Sequence, residues 1–160
     1  MLWGQPGMNA IAQTEKDTPE EAETKGVSLA LTFPRGLMGF EQVKNFKLLR
    51  FPEEDPFLWL QMAEGPELSF LLLPATQCIK DYHPDFYVED LDLLELVAPD
   101  DLGLFNIVTV KPGQAPTANM KGPIALNLKK NLGGQFVLRN GGDYGVRYPL
   151  PVEQNQLAVG

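Results

Sequence analysis

The chain has 160 residues and a net charge of -8, with 44% apolar and 21% charged residues. A chain of that length removes roughly 68–70% of its unfolded surface from water on folding, enough for one core without staples. A single cysteine, Cys78, and a single histidine, His83, exclude an internal disulfide and a multi-cysteine metal site; the acid excess opposes a sequence-independent grip on nucleic acid or on an anionic membrane.

The N-terminus lacks the basic start and continuous apolar run of a signal peptide, which predicts a cytoplasmic protein. No apolar run is long enough to span a bilayer. Residues 1–26 read as a flexible acidic arm: Glu15, Asp17, Glu20, Glu21 and Glu23 come with almost no large apolar side chain to offset chain entropy. The domain is expected over 27–150, with 151–160 as a tail.

Val27, Leu29, Leu31 and Phe33 alternate with small or polar residues, the period of a half-buried strand. Pro34-Arg35-Gly36 ends it, and Gly36 and Gly39 bracket Leu37-Met38 in a loop. Strands are predicted at 46–51, 57–62 and 68–73, each stopped by proline or a Gly-Pro pair. Segments 85–88 and 91–97 also read as strands. Residues 98–102 read as a helical turn, and 104–110, rich in Ile, Val and Thr, as a strand. A hairpin is expected from 124–129 and 135–139, with Gly133-Gly134 supplying the positive φ of its turn. Arg147-Tyr148-Pro149-Leu150 closes the domain. Many short strands between Gly and Pro punctuation predict an all-β fold, a single-domain, partly closed barrel or bent sandwich of short antiparallel strands.

Chemistry-bearing constellations are sparse. A Cys78–His83 pair, with Asp81 beside it, is the one arrangement that resembles nucleophilic or hydrolytic machinery in a ligand-binding β-barrel; a buried inert thiol and a solvated loop histidine explain the same residues. Asp90 and Asp92 share a strand face but lack a calcium-loop pattern. Lys121, Lys129, Lys130, Arg139 and Arg147, interleaved with Phe136, Tyr144 and Tyr148, have the composition of a nucleic-acid surface. Lysines that protect strand edges account for them better. No catalytic, cofactor-binding or metal residue is assigned. Apolar residues with a claim to the surface are Leu37, Met38 and Phe40 in the Gly-bounded loop, and Phe57 and Trp59, which alternate with Leu58 and Leu60.

Five ordered strings resemble the FliW flagellar assembly factors: Phe33-Pro34-Arg35-Gly36-Leu37-Met38-Gly39-Phe40-Glu41, Pro56-Phe57-Leu58-Trp59-Leu60-Gln61, Pro66-Glu67-Leu68-Ser69-Phe70, the run from Thr117 to Asn127, and Tyr144 with Arg147, Pro149 and Leu150. They span about 27–150, and the first 26 residues read as an addition ahead of the family's start. The resemblance implies a β-rich, barrel-like fold without enzymatic activity. It also implies binding to flagellin and to the translational regulator CsrA, antagonism of CsrA by partner switching, and no direct contact with nucleic acid or membrane. The contact surface is expected from the 37–41 loop, the 56–61 strand and the 119–127 segment, with Leu37, Met38, Phe40, Glu41, Phe57, Trp59, Gln61, Asn119, Met120 and Asn127 as candidates. Asn127 is included because strand alternation turns it away from Ile124 and Leu126.

Overall fold

The computed structural model describes residues 26–150. The expected tail, and the expected arm apart from Gly26, lie outside the described residues. The strands are β1 (Val27–Thr32), β2 (Asn45–Arg50), β3 (Leu58–Met62), β4 (Ser69–Pro74), β5 (Leu102–Thr109), β6 (Thr117–Ala118), β7 (Ile124–Asn127), β8 (Leu132–Gln135) and β9 (Tyr148–Pro149). Two short helices, α1 (Ala75–Cys78) and α2 (Val88–Asp92), lie between β4 and β5.

The strands form one sheet in the order β4-β3-β2-β1-β8-β7-β5-β6-β9, and β4 also pairs with β5. That pairing closes seven strands into a ring, with β6 and β9 continuing outward from β5. The barrel is closed rather than partly closed, and it is mixed rather than wholly antiparallel. β1 and β8 run parallel and share a single pair, Thr32 with Leu132.

Alternation explains what fills the ring. Leu31 stands opposite Phe46 and Phe46 opposite Met62. Leu29, Leu48, Leu60 and Phe70 line up across four strands. These rows meet Phe33, Leu37, Leu72, Ile124 and Leu126 in the interior cluster. Burying side chains of this size contributes roughly 1.5–3 kcal/mol each. The other face carries Leu49, Trp59, Leu71 and Val108 in one row. It too is covered. Phe51 lies on Leu49 and Trp59, and the Glu54 carboxylate accepts the indole N–H of Trp59 at 2.9 Å. Phe57, Leu73 and Cys78 pack with Val108, Met120 and Leu150. Residues 82–104 supply a layer over β7 and β8, with Phe86 and Leu94 on Ala125, Phe136 and Leu138.

The strands predicted at 85–88 and 91–97 are not present. This stretch holds α2 and a turn at Glu95, whose φ of 53° no extended chain adopts. The leucines that suit a strand pack onto β7 and β8 from outside instead. α1 and β6 were not expected. The hairpin is shifted in register: its turn lies at 128–131, with Asn131 at φ 58°, and Gly133 and Gly134 sit within β8. Neither glycine has a positive φ. They are there for close approach, because a Cβ on Gly133 would stand 2.5 Å from the Phe33 ring and 2.6 Å from Leu126.

Asn127 is buried, and its amide holds the layer to the barrel. The side-chain N–H₂ donates to Leu94 O at 2.8 Å and to Glu95 O at 3.3 Å. The side-chain oxygen accepts Lys129 N–H at 3.0 Å and Lys130 N–H at 3.2 Å. A buried group that loses its partners costs about 1–3 kcal/mol. Asn127→Leu is therefore expected to lower unfolding free energy by about 2 kcal/mol or more, measured by denaturant titration. A loss within about 0.5 kcal/mol would show that the Glu95 turn holds without it.

Glu64 makes the parallel case at the surface. Its carboxylate accepts Lys44 N–H at 2.9 Å and Asn45 N–H at 3.2 Å at the start of β2. These bonds hold its pKa below the ordinary 4.5. A carboxylate with a folded pKa below its unfolded one stabilises fully above the unfolded value and loses that contribution as pH falls through the folded value. The melting temperature of wild type should thus fall on acidification below about pH 4.5. The fall should be shallower in Glu64→Gln, and equal slopes would contradict the assignment.

Candidate functional site

Gly36 has φ 67°, and a Cβ there would stand 2.6 Å from Phe40 O and 2.8 Å from Glu41 Cα. Only glycine fits, so the chain folds back at once. Phe40 N–H donates to Leu37 O at 2.8 Å and closes the loop. Leu37 drops into the barrel interior, and Phe40, half-buried, meets the Phe70 ring edge-on at 5.7 Å between centres. Met38 is what remains outside, 41% exposed. Beside it, Glu41 accepts Gly39 N–H at 3.0 Å, which holds its carboxyl below the usual range and keeps it charged.

The second loop, 119–123, is pinned from three directions. Asn119 N–H donates to Ile107 O at 2.9 Å, and Met120 N–H to Gly145 O at 3.0 Å. The buried Asn106 amide donates to Asn119 O at 2.9 Å, and the Tyr82 hydroxyl to Met120 O at 2.6 Å. Burial pushes the Tyr82 hydroxyl up to about 12, so it stays a donor. The Asn119 side-chain oxygen accepts Lys121 N–H at 3.1 Å and Gly122 N–H at 2.9 Å, turning the chain inside one side chain's reach.

Gln135, at the end of β8, joins the two loops. Its Oε1 accepts Met38 N–H at 3.0 Å, and its Nε2 donates to Gly122 O at 3.1 Å. A Cβ on Gly122 would touch the Met38 methyl at 3.5 Å and the Asn119 amide at 3.4 Å. Residues 38, 119 and 135 thus form one surface over the buried Gly122. Nothing in one sequence singled out Gln135, a polar residue at a strand end.

Met38, Glu41 and, in part, Phe40 and Asn119 stand on the surface, as expected of contact residues. Leu37, Phe57, Trp59, Met120 and Asn127 do not; all are buried, which corrects their placement on an outer surface. The physical reason is the same for the four on strands or beside them: a second layer lies outside the barrel, so a side chain that faces away from the interior is still covered. Leu37 is inside for a different reason, the tight fold of its loop. Gln61 is half-buried on β3 between Lys47 and Ser69. Among the described residues no hydrogen bond ties it to Met38 or Asn119.

The Cys78–His83 arrangement is not primed for chemistry. Burial pushes the Cys78 thiol up to about 12, opposite to the lowered value an attacking thiolate needs. His83 is on the surface; its backbone N–H is bound by the Tyr144 hydroxyl oxygen at 3.0 Å and its carbonyl by Asn140 at 2.9 Å. Of Lys121, Lys129, Lys130, Arg139 and Arg147, three are paired with carboxylates. Lys129 pairs with Asp101 at 2.9 Å, Lys130 with Glu95 at 3.4 Å and Arg139 with Asp85 at 3.8 Å.

The family model described as FliW protein matches residues 12–150. The match starts ahead of Val27, so residues 12–26 of the expected arm fall within the family's span. A flagellar assembly factor FliW from Carboxydothermus hydrogenoformans is 34% identical over 128 residues, covering 79% of this chain and 82% of that protein. The Clostridioides difficile relative, with the same description, is 32% identical and is covered over 94% of its length. One from Leptospira interrogans reaches 39% over 113 residues, 69% of this chain and 75% of its own. A crystal structure of the flagellar assembly factor FliW superposes with a TM-score of 0.70 at 32% identity, covering 78% of this chain and 87% of that one. With a family model, relatives and a solved structure matched at this level, the chain belongs to the FliW family of flagellar assembly factors.

Proposed function

We propose that this protein works by occupying other proteins: it binds flagellin and the translational regulator CsrA in the cytoplasm, and exchange between the two partners relieves or restores CsrA's repression of flagellin synthesis. Family membership supports a role in flagellum assembly. The observation that carries a binding role is the rigid two-loop surface, in which Gln135 holds Met38 against the Asn119 turn. A loop whose backbone is already fixed loses little backbone freedom when a partner covers it. Met38, Glu41 and Asn119 are its principal contact residues, with Phe40 beneath them and Gln61 as an outlying candidate.

A non-enzymatic role without cofactor or metal fits the protonated, buried Cys78. Recognition of protein rather than nucleic acid fits the net charge of -8 and the carboxylate partners of Lys129, Lys130 and Arg139. Among the described residues no helix is long and apolar enough to cross a membrane.

Purified full-length protein is expected to co-elute in size-exclusion chromatography with flagellin and with CsrA from the same organism. Met38→Glu should weaken at least one complex by roughly tenfold while the melting temperature stays within a few degrees of wild type. Co-elution with neither partner rejects the proposal.

A further inference from the structure

The two-loop surface continues into a second set of exposed apolar side chains that the fold does not require. Beyond Gln135 the chain stays extended, with Phe136 and Leu138 buried against Phe86 and Leu94. Alternation then turns Val137 outward with Gln135, and it is 52% exposed. Tyr87 and Val88, at the start of α2, are 47% and 68% exposed. The two segments are neighbours. Arg139 N–H donates to Asp85 O at 2.7 Å, the Phe86 and Phe136 rings meet at 6.2 Å, and the Arg139 guanidinium lies 5.9 Å from the Tyr87 ring centre. From the other side Arg35, in the same loop as Met38, pairs with Asp90 of α2 at 2.7 Å. Met38, Val137, Tyr87 and Val88 therefore form one strip, bounded by the pairs Arg35–Asp90 and Arg139–Asp85. Apolar centres with charged rims are the anatomy of a protein interface.

Charge selects the occupant. Both arginines of the rim are already matched by carboxylates, whereas Glu89 and Asp92 on α2 are exposed and without a basic partner among the described residues. A second copy of this chain, placed across a two-fold axis, would set these acids against themselves. Nucleic acid would be repelled.

We infer that this strip is the docking surface for a basic amphipathic segment of a partner protein, whose apolar residues cover Met38, Val137, Tyr87 and Val88 while its Lys or Arg side chains meet Glu89 and Asp92. The inference rests on the protein-binding reading above and extends its surface across α2.

The test uses the full chain with Val88→Glu and Val137→Glu combined, and Val110→Glu, an exposed valine just past the end of β5, as the control. Each is titrated against flagellin and CsrA of the same organism at low and high salt. The double variant should bind at least one partner about tenfold more weakly, the control should match wild type, and wild-type affinity should fall as salt rises. Glu89→Lys with Asp92→Lys should slow association with the same partner. Melting temperatures are read alongside; if the double variant melts early, Val88→Ser alone takes its place, with a smaller loss expected. Variants that bind both partners as tightly as wild type overturn the strip and leave the broader reading standing. Wild type that binds neither overturns both.

Discussion

The close approach of the Phe33 ring to the backbone of Gly133 is the contact on which the rest of this structure depends. β1 and β8 share one residue pair, so the ladder alone gives that seam little strength. Phe33 supplies what the ladder lacks: it leaves β1, crosses over Gly133, and packs on Leu126 and Phe46 inside the barrel. A side chain at 133 would occupy the ring's place. Because the chain crosses there, the following residues, Pro34 to Glu41, run beside the end of β8, where Gln135 takes the Met38 amide. Barrel closure and the surface loop are thus consequences of one packing event. The position of Met38 is inherited from the core, which is why it can be rigid on an exposed loop.

The outer layer makes a different contribution. A small barrel has an inside for roughly half of its strand residues, and alternation would leave the other half wet. Here Trp59, Phe57 and Ala125 face outward yet are buried, since the 52–54 turn, α1 and residues 82–104 lie over them. That layer needs anchors that a strand ladder cannot provide. Asn127 supplies one by binding two carbonyls of the layer and two amides of its own turn. Tyr82 supplies another, reaching from the layer to the Met120 carbonyl. Tyr82 therefore both holds the layer down and fixes the 119–123 loop. The layer's outer side presents Tyr87, Val88 and the acids of α2.

Much of this was legible in the residues. Period-two alternation located β1, apolar runs between Pro and Gly stops located β2 to β4, Ile-Val-Thr composition located β5, and the glycines at 36 and 39 marked a loop whose φ values they satisfy. What misled was any inference that treated the barrel as one layer. Leucines at 91, 93, 94 and 96 suit a strand as well as an irregular cover, and only the presence of β7 and β8 beneath them decides between the two. Alternation pointed Asn127 outward correctly, but outward here leads to Leu94 and Glu95 rather than to water. Gly133-Gly134 has the composition of a turn, and the feature that makes it a strand, an aromatic ring from a residue a hundred positions earlier, has no local trace. Gln135 was silent for the same reason. Its role exists only once the two loops it bridges have been brought together.

The proposed exchange of partners requires a surface that holds each one without holding it permanently. The apolar side chains on the strip are few, and three of the four, Met38, Tyr87 and Val137, are about half exposed before any partner arrives. Covering such residues yields modest free energy from area alone, at roughly 25 cal/mol per Å² of apolar surface. Rigidity compensates in part, since the loop bonds through Gln135 and Asn119 are already made and the loop backbone needs no further ordering to associate. In the proposed docking, the acids on α2 act mainly on encounter, because exposed charges steer approach and are screened by salt more than they strengthen a formed complex. An interface built this way is quick to form and limited in depth, so a competitor needs only a moderate advantage in concentration or contact to displace the resident. Stiffness inherited from the barrel core, with a small apolar centre and an unpaired acidic margin, is the combination that the proposed exchange between polypeptides requires.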